Sequence, residues 1–224
     1  MTKFLPRRLA LAGLLTLSMT GAAHAALFGD DAPIPTLDIA PPKIEMDVPM
    51  PVSGTDLKSL LSAIGKNHSL SQIKDAAIQN YRSYLQQELD TRLRAHFVDQ
   101  QVPLVSREGM LSLHDQMKLK VIKNFSDLES GADYDLERGT VKIDGHFRYQ
   151  LYNAAGSAVA AREVDLSGLH ISEEYEMKSP RNGGAAKNTT ESAIKLALSK
   201  MVDGIIDKIE DDLEADELRD LAAG

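Results

Sequence analysis

The sequence predicts an α+β fold in which an antiparallel sheet of three to five strands is covered by two long amphipathic helices. Three observations support this prediction. The stretch from Thr140 to Met177 has the pattern of two strands joined by a turn, and a helix-spaced apolar stretch lies on each side of it. A lone hairpin is only marginally stable in water, so its apolar face needs a covering layer. The two flanking helices would supply that layer.

The first strand of this hairpin alternates apolar and polar side chains. Its apolar positions are Val141, Ile143, Phe147, Tyr149 and Leu151. A period of two is typical of a strand with one buried face and one wet face. Residues 153–156 supply the turn. The apolar positions of the returning strand change parity across Gly168, which predicts a β-bulge there.

Each predicted helix carries one apolar face. The first is expected between about Ser69 and Gln100, where apolar residues recur about every four positions. The second is expected to start near Asn188, which with Glu191 three residues later forms a capping-box-like start, and its apolar stripe continues to Ile209. Stripes of this width suit packing against a sheet.

Shorter elements are predicted around the hairpin. Residues 102–105 and 116–125 have strand patterns. Residues 126–139 are polar and acidic, and we expect them to form the loop that leads into the hairpin. Residues 179–187 contain proline, asparagine and two glycines, and we expect a mobile loop there.

The N-terminus has the features of a secretory signal peptide. A basic region within residues 3–8 precedes an apolar stretch at residues 9–23, and an A-x-A site predicts cleavage after Ala25. The apolar stretch is shorter than the roughly 20 residues that a membrane span requires, so we expect no span in the mature chain. The chain has no cysteine to carry a lipid or form a disulfide. We therefore expect a non-lipidated protein of the bacterial periplasm.

The composition predicts four regions. Residues 1–25 are the signal peptide, and residues 26–54, with six prolines, are expected to be extended. Residues 55–213 are expected to form a single α+β domain, and residues 214–224 an acidic, frayed tail. The proline-rich region is either a disordered tether or a strap along its own domain or a partner's sheet.

Charge argues against nucleic acid as a partner. The full chain has a formal net charge of −8. The signal peptide carries three positive groups and no acidic group, so its removal leaves a mature chain at −11. Such a chain repels phosphate backbones.

Against this acidic background, basic side chains gather on one predicted face of the sheet. The candidate binding residues are Lys142, His146, Arg148, Lys118 and Lys120. They predict an anion-binding face for a lipid headgroup, a phosphorylated glycan or an acidic partner surface. The alternative is an ordinary solvated face whose cations pair with acidic residues of the same hairpin, namely Asp144, Glu163 and Asp165.

Catalytic and metal-binding motifs are not found in the sequence. There is no G-x-S-x-G, no Walker loop and no cysteine, and the histidines lack metal-motif spacing. We therefore expect no enzymatic activity, no cofactor and no metal. A hydrolase whose site is assembled only in space, from His146, His170, Asp144 and Glu173, is the third-ranked hypothesis.

The segment from Gly145 to Gly156, a strand ending in a short N-x-x-G turn, resembles the lipopolysaccharide-assembly lipoproteins. The acidic, tyrosine-containing stretch at residues 173–175, which leads towards a closing helix, is similar as well. The resemblance implies an α+β sandwich used for binding and assembly at the cell envelope. That family carries a lipidated cysteine, which this chain lacks, so the resemblance does not extend to membrane anchoring.

Together these features predict a non-catalytic periplasmic accessory protein that binds an envelope protein or a glycolipid. The main alternative is a carrier of a lipid or another apolar small molecule, held in a cavity between sheet and helices. The carrier hypothesis predicts an unfilled interior, whereas the accessory hypothesis predicts a packed one. The sequence does not define the oligomeric state.

Overall fold

A computed structural model describes residues 34–50, 69–182 and 184–223. The predicted signal peptide and its cleavage site after Ala25 lie outside these residues. The described chain has an α+β fold made of eight strands and three helices, with 3₁₀ turns at Ser167–Leu169 and Asp211–Leu213. The elements are β1 (Leu37–Ile39), β2 (Lys43–Asp47), α1 (Leu70–Asp99), β3 (Leu104–Val105), β4 (Leu111–Ser130), β5 (Tyr134–Asn153), β6 (Ala158–Asp165), β7 (Ser172–Pro180), β8 (Lys187–Asn188), α2 (Thr190–Ile209) and α3 (Ala215–Ala223).

All eight strands belong to one mixed sheet. Its order is β3-β1-β4-β5-β7-β8, with β2 also beside β4 and β6 also beside β5. β4 pairs antiparallel with β5 along its whole length, whereas β1 and β2 run parallel to β4. The predicted antiparallel sheet of three to five strands is therefore wrong in size and partly wrong in strand direction.

The additional parallel strands come from the proline-rich region. Residues 34–50 lie along β4, and Pro41 and Pro42 separate β1 from β2 because proline offers no N–H group to a ladder. Leu37 and Ile44 are buried in the core. This part of the region is therefore a structural part of the sheet.

The β4–β5 hairpin replaces the predicted loop at residues 126–139. β4 continues to Ser130 and β5 starts at Tyr134, with a register shift between Phe125 and Asp127. Residues 124–130 of β4 are half-buried or exposed. The sequence there lacks apolar alternation because this end of β4 lies outside the packed core.

In the predicted hairpin of residues 140–177, the returning chain forms two strands instead of one. These strands, β6 and β7, pair with β5 one after the other along its length. The turn after β5 forms as expected, with Asn153 Oδ1 accepting hydrogen bonds from the N–H groups of Ala155 and Ser157. The change of parity near Gly168 reflects the 3₁₀ turn at residues 167–169, which ends with His170 at φ +54°. The predicted bulge is therefore wrong, because a turn interrupts the ladder between β6 and β7.

Three helices, rather than two, pack on the sheet. α1 begins with a capping box in which Ser69 Oγ accepts a hydrogen bond from the N–H group of Gln72 and the Gln72 side chain accepts one from the N–H group of Ser69. The N-cap of α2 is Thr189, whose side chain makes no capping hydrogen bond, so the predicted capping box of Asn188 and Glu191 is wrong. Asn188 Oδ1 instead accepts a hydrogen bond from the N–H group of Thr190 at 2.9 Å. None of the described helices has the length and apolarity needed to cross a membrane.

The C-terminal residues, expected to be frayed, form the third helix. Leu213 and Leu218 are buried in the common core. Asp212 fixes the preceding 3₁₀ turn to the sheet, because its Oδ2 atom accepts hydrogen bonds from Tyr149 Oη at 3.1 Å and from Arg162 Nη1 at 2.6 Å. These contacts hold the C-terminal segment against the core, so the fraying predicted from its charged composition is wrong.

One hydrophobic cluster joins the helices to one face of the sheet, which we call the inner face. Phe97 of α1, Phe147 of β5 and Met201 of α2 are fully buried there. The alternate residues of β4 and β5 point to the opposite side, the outer face, where most of them are exposed. Within the described residues, buried side chains of the helices and of the sheet therefore pack against each other between the two layers.

Candidate functional site

A groove of about 470 Å³ crosses three neighbouring strands on the outer face. We call it the outer groove. It is lined by residues 45–47 of β2, 118–120 of β4 and 144–146 of β5. A volume of this size is within the range of roughly 300–1,000 Å³ that is typical of small-molecule sites.

Strand register builds the outer groove from two rows of side chains. One wall follows the register Glu45–Lys118–His146, and the other follows Asp47–Lys120–Asp144. Because successive residues of a strand point to opposite faces, the row between the walls, Met46–Leu119–Gly145, presents its backbone as the floor.

Gly145 is required at the floor. It has φ +137°, a conformation that residues with a side chain rarely adopt. A Cβ atom placed there would lie 2.2 Å from the carbonyl oxygen of Lys118. Only glycine therefore allows β4 and β5 to approach each other this closely beneath the groove.

The charged walls of the outer groove are largely free of ion pairs. Among the described residues, no ion pair of 4.0 Å or less joins these walls to each other. Asp47 instead pairs with Lys74 of α1 at 2.6 Å, and the hydrogen bond from Lys74 holds the pKa of Asp47 below its usual range. The remaining acidic and basic groups can therefore contact a ligand that carries charges of both signs.

All five predicted binding residues lie on the outer face, but only three of them line the groove. Lys118, Lys120 and His146 are lining residues. Lys142 is opposite residue 122 and Arg148 is opposite residue 116, so both lie outside the lining set. The anion-binding role of these five residues stays a prediction.

Acidic residues alternate with the basic ones on this face. In the strand register Lys120 is opposite Asp144, His146 is opposite Asp165, and Arg148 is opposite Glu163. The sequence analysis missed Glu45 and Asp47, which complete the groove. Their signal was the alternation within residues 43–47, which the surrounding prolines obscured.

The residues of the hydrolase hypothesis do not share one face of the sheet. Asp144 and His146 project from the outer face of β5. Glu173 pairs in register with the buried Val141 and bonds to Lys200 of α2 at 2.7 Å, which places it on the inner side. His170 lies in the turn before β7. The described residues also contain no cluster of three or more His, Cys, Asp or Glu suited to a metal ion.

Asp115 of β4 is a buried charged residue away from the groove. Its side chain belongs to the inner face, and the residue is 4% exposed. Neither carboxylate oxygen has a hydrogen-bond partner among the described residues. Burial raises its pKa to about 7 because the charged form loses its hydration.

No protein-family model matches the chain, and no curated protein matches it. Twenty solved chains are similar to it. One is a homolog of the neuraminyllactose-binding hemagglutinin from Helicobacter pylori, with 10% identity, a TM-score of 0.49, and coverage of 89% of this chain and 97% of that chain.

Two further similar structures are bacterial lipoproteins. The minor lipoprotein from Acinetobacter baumannii has 13% identity and a TM-score of 0.27, with 79% of this chain and 93% of that chain covered. A lipoprotein from Neisseria meningitidis has 10% identity and a TM-score of 0.20, with 79% and 98% covered.

Proposed function

We propose that this chain is a non-catalytic binding protein of the bacterial cell envelope, and that the outer groove holds its ligand. The observation that carries this proposal is the outer face itself. The helices pack on the inner face, while the outer face presents a groove whose two charged walls form no ion pair with each other within the part of the chain that the structure describes. Charged side chains on an exposed face can complement the charges of a ligand and so favour its binding.

The charge pattern indicates the chemistry of the ligand. Two basic residues alternate along the walls with three acidic ones, so both signs of charge are present in the lining: Lys118 and Lys120, and Glu45, Asp47 and Asp144. A ligand with negative and positive or hydroxyl groups side by side fits this arrangement. The headgroup of an envelope glycolipid and a charged segment of an envelope protein both have such groups.

The signal peptide predicted at residues 1–25 supports a location in the periplasm, and the absence of cysteine supports a non-lipidated mature chain. The carrier alternative gains no support from the packing, because fully buried side chains occupy the space between sheet and helices. We propose no enzymatic role, since the residues of the hydrolase hypothesis point to different faces of the sheet.

In-cell photo-crosslinking tests this proposal. A photoreactive residue replaces His146 in the groove, and the adducts are identified by mass spectrometry. We expect one discrete adduct, a glycolipid or one envelope protein. The adduct should be lost in the double variant Lys118→Glu/Lys120→Glu, because charge reversal changes both walls.

The matched control is Lys187→Glu/Lys208→Glu, which changes the net charge equally at two exposed positions outside the groove. It should keep the adduct. Equal loss in both double variants, or no discrete adduct at all, would refute a specific role for the groove.

A further inference from the structure

The distal half of β4 has a free edge. On the side away from β5, β1 pairs with residues 111–113 and β2 with residues 116–120. From residue 121 to Ser130, no described strand pairs with this side of β4. An unpaired edge is a template for the addition of another strand.

The direction of the backbone groups can be followed along this edge. The N–H group of Leu111 donates to Thr36, and the carbonyl of Leu113 accepts from Ala40, so these odd-numbered residues direct their backbone groups away from β5. Because backbone groups alternate along a strand, Phe125 does the same. The register shift after Phe125 adds one residue, so beyond it Leu128 takes this orientation.

Phe125 and Leu128 are also the exposed apolar residues of this edge. They are 62% and 50% exposed, respectively. In the register of β5 they are opposite Gly139 and Glu137, two positions apart, so both side chains point to the inner face. The edge therefore presents two neighbouring apolar side chains together with outward hydrogen-bonding groups.

The bulge decides which strand fits. A regular strand cannot pair with both Phe125 and Leu128. These two residues are three positions apart in β4, but because of the bulge they occupy the space of only two positions in a regular ladder. The same segment of a second copy, running antiparallel to the first, carries the same bulge and can therefore match it. Aligned antiparallel, Phe125 of each copy is opposite Leu128 of the other, and both residues are hydrogen-bonding positions.

We propose that the free edge of β4 is a self-association surface, at which a second copy of this chain pairs antiparallel about a two-fold axis between residues 126 and 127. Two isologous Phe125–Leu128 pairs then lie on the inner face. An edge contact of this length buries less than the roughly 1,200 Å² of a stable complex. The dimer is therefore weak, with dissociation expected at about 10 µM to 1 mM.

Charge makes the association dependent on salt. Asp127 and Glu129 of both copies approach one another on the outer face. Among the described residues, Arg138 is the one cation of each chain in an ion pair with them, with Nη1 3.4 Å from Glu129 and 3.8 Å from Asp127. Each mature chain is also acidic. Raising the salt concentration screens this repulsion, so it should strengthen the dimer.

Register-specific disulfide formation tests the proposal. The natural chain has no cysteine, so engineered thiols have no background. Residues in a hydrogen-bonded antiparallel pair have Cα atoms about 5.5 Å apart, within disulfide range. In the proposed pairing, the two copies of position 125 are about 9 Å apart, beyond that range.

We therefore expect mild oxidation to cross-link a mixture of Phe125→Cys and Leu128→Cys chains at least about fivefold faster than either variant alone. Equal rates in all three samples would overturn the proposed register. Sedimentation velocity provides the second measurement: the mass should rise from monomer to dimer between about 1 µM and 1 mM, and the rise should shift to lower protein concentration at high salt.

The variant Phe125→Glu should weaken the dimer by about tenfold or more, because it places a charge in the apolar pair. The control Val98→Glu adds the same charge at a 64% exposed apolar residue of α1 and should leave the dimer unchanged. Unchanged thermal unfolding shows that both variants fold. A monomer at every concentration, or equal effects of both variants, would overturn the proposal, as would a heterologous protein cross-linked at position 125 in cells in place of a second copy.

Discussion

The replacement Asp115→Asn should remove a specific pH dependence from the stability of this protein. The Asp115 carboxyl is buried in β4 without a hydrogen-bond partner, and burial raises its pKa from 3.8 to about 7. A shift of about three units corresponds to roughly 4 kcal/mol of destabilisation once the group is fully ionised in the folded state, at about 1.4 kcal/mol per unit.

The sign of this pH dependence follows from the number of protons that the folded and the unfolded state bind. Between pH 4 and pH 7 the folded state holds a proton on Asp115 that the unfolded state has released, so the free energy of unfolding falls as the pH rises. Between pH 5 and pH 8 the expected loss is about 2.5 kcal/mol. Asp47 and Asp165 have pKa values below their usual range, so their contributions to stability are lost only in more acidic solution.

Urea unfolding of the chain, followed by circular dichroism at pH 5, 6, 7 and 8, measures this difference. The quantity to compare is the free energy of unfolding of wild type minus that of Asp115→Asn, because the contributions of the other titrating groups cancel in this difference. Asp144→Asn, at an exposed acid of β5, is the control and should retain the wild-type slope. A parallel pH profile for wild type and Asp115→Asn would refute the assignment of a buried, unpartnered carboxyl with a raised pKa to this site.

Two further predictions concern single contacts. Gly145→Ala should lower the free energy of unfolding by about 2 kcal/mol or more, because the new Cβ atom meets the carbonyl of Lys118. Gly156→Ala, where nothing lies within 4 Å of the new Cβ atom, should lower the free energy of unfolding by about 1 kcal/mol. Thermal and urea unfolding of the two variants compare these costs, and equal costs would contradict the steric argument. Leu218→Ala should lower the free energy of unfolding by about 2–5 kcal/mol, because it leaves a cavity at a buried position of α3, whereas Leu196→Ala at a 48% exposed residue should lower it by less than about 1 kcal/mol. A similar loss of stability in both variants would show that α3 does not pack on the core.

The elements with a buried face were predictable from the sequence. The alternation from Val141 to Leu151 identified the central strand β5, and the four-residue spacing before Phe97 identified α1. The distal hairpin was missed because it lies outside the packed core and shows no alternation. The helix after Glu214 was missed because its charged surface residues outnumber the few that reach the core.

The candidate site was only partly predictable. Strand alternation correctly placed Lys118, Lys120 and His146 on the exposed face. The acidic half of the groove depends on β2, which pairs with a strand 73 positions later in the chain and buries Ile44 in the core. Periodicity can show which face a residue occupies, but it cannot show which distant strand lies beside it.

The parallel pairing of β2 with β4 also affects the order of folding. Lys43 is opposite Gln116, 73 positions later in the chain, whereas β4 and β5 are joined by a short turn. Closing a long loop is entropically costly, so the local hairpin should form early and β2 should dock late. Substitutions in β2 should therefore accelerate unfolding more than they slow refolding. The outer groove is therefore completed only after the hairpin has formed, and until then the β2 segment that supplies Glu45 and Asp47 stays unpaired.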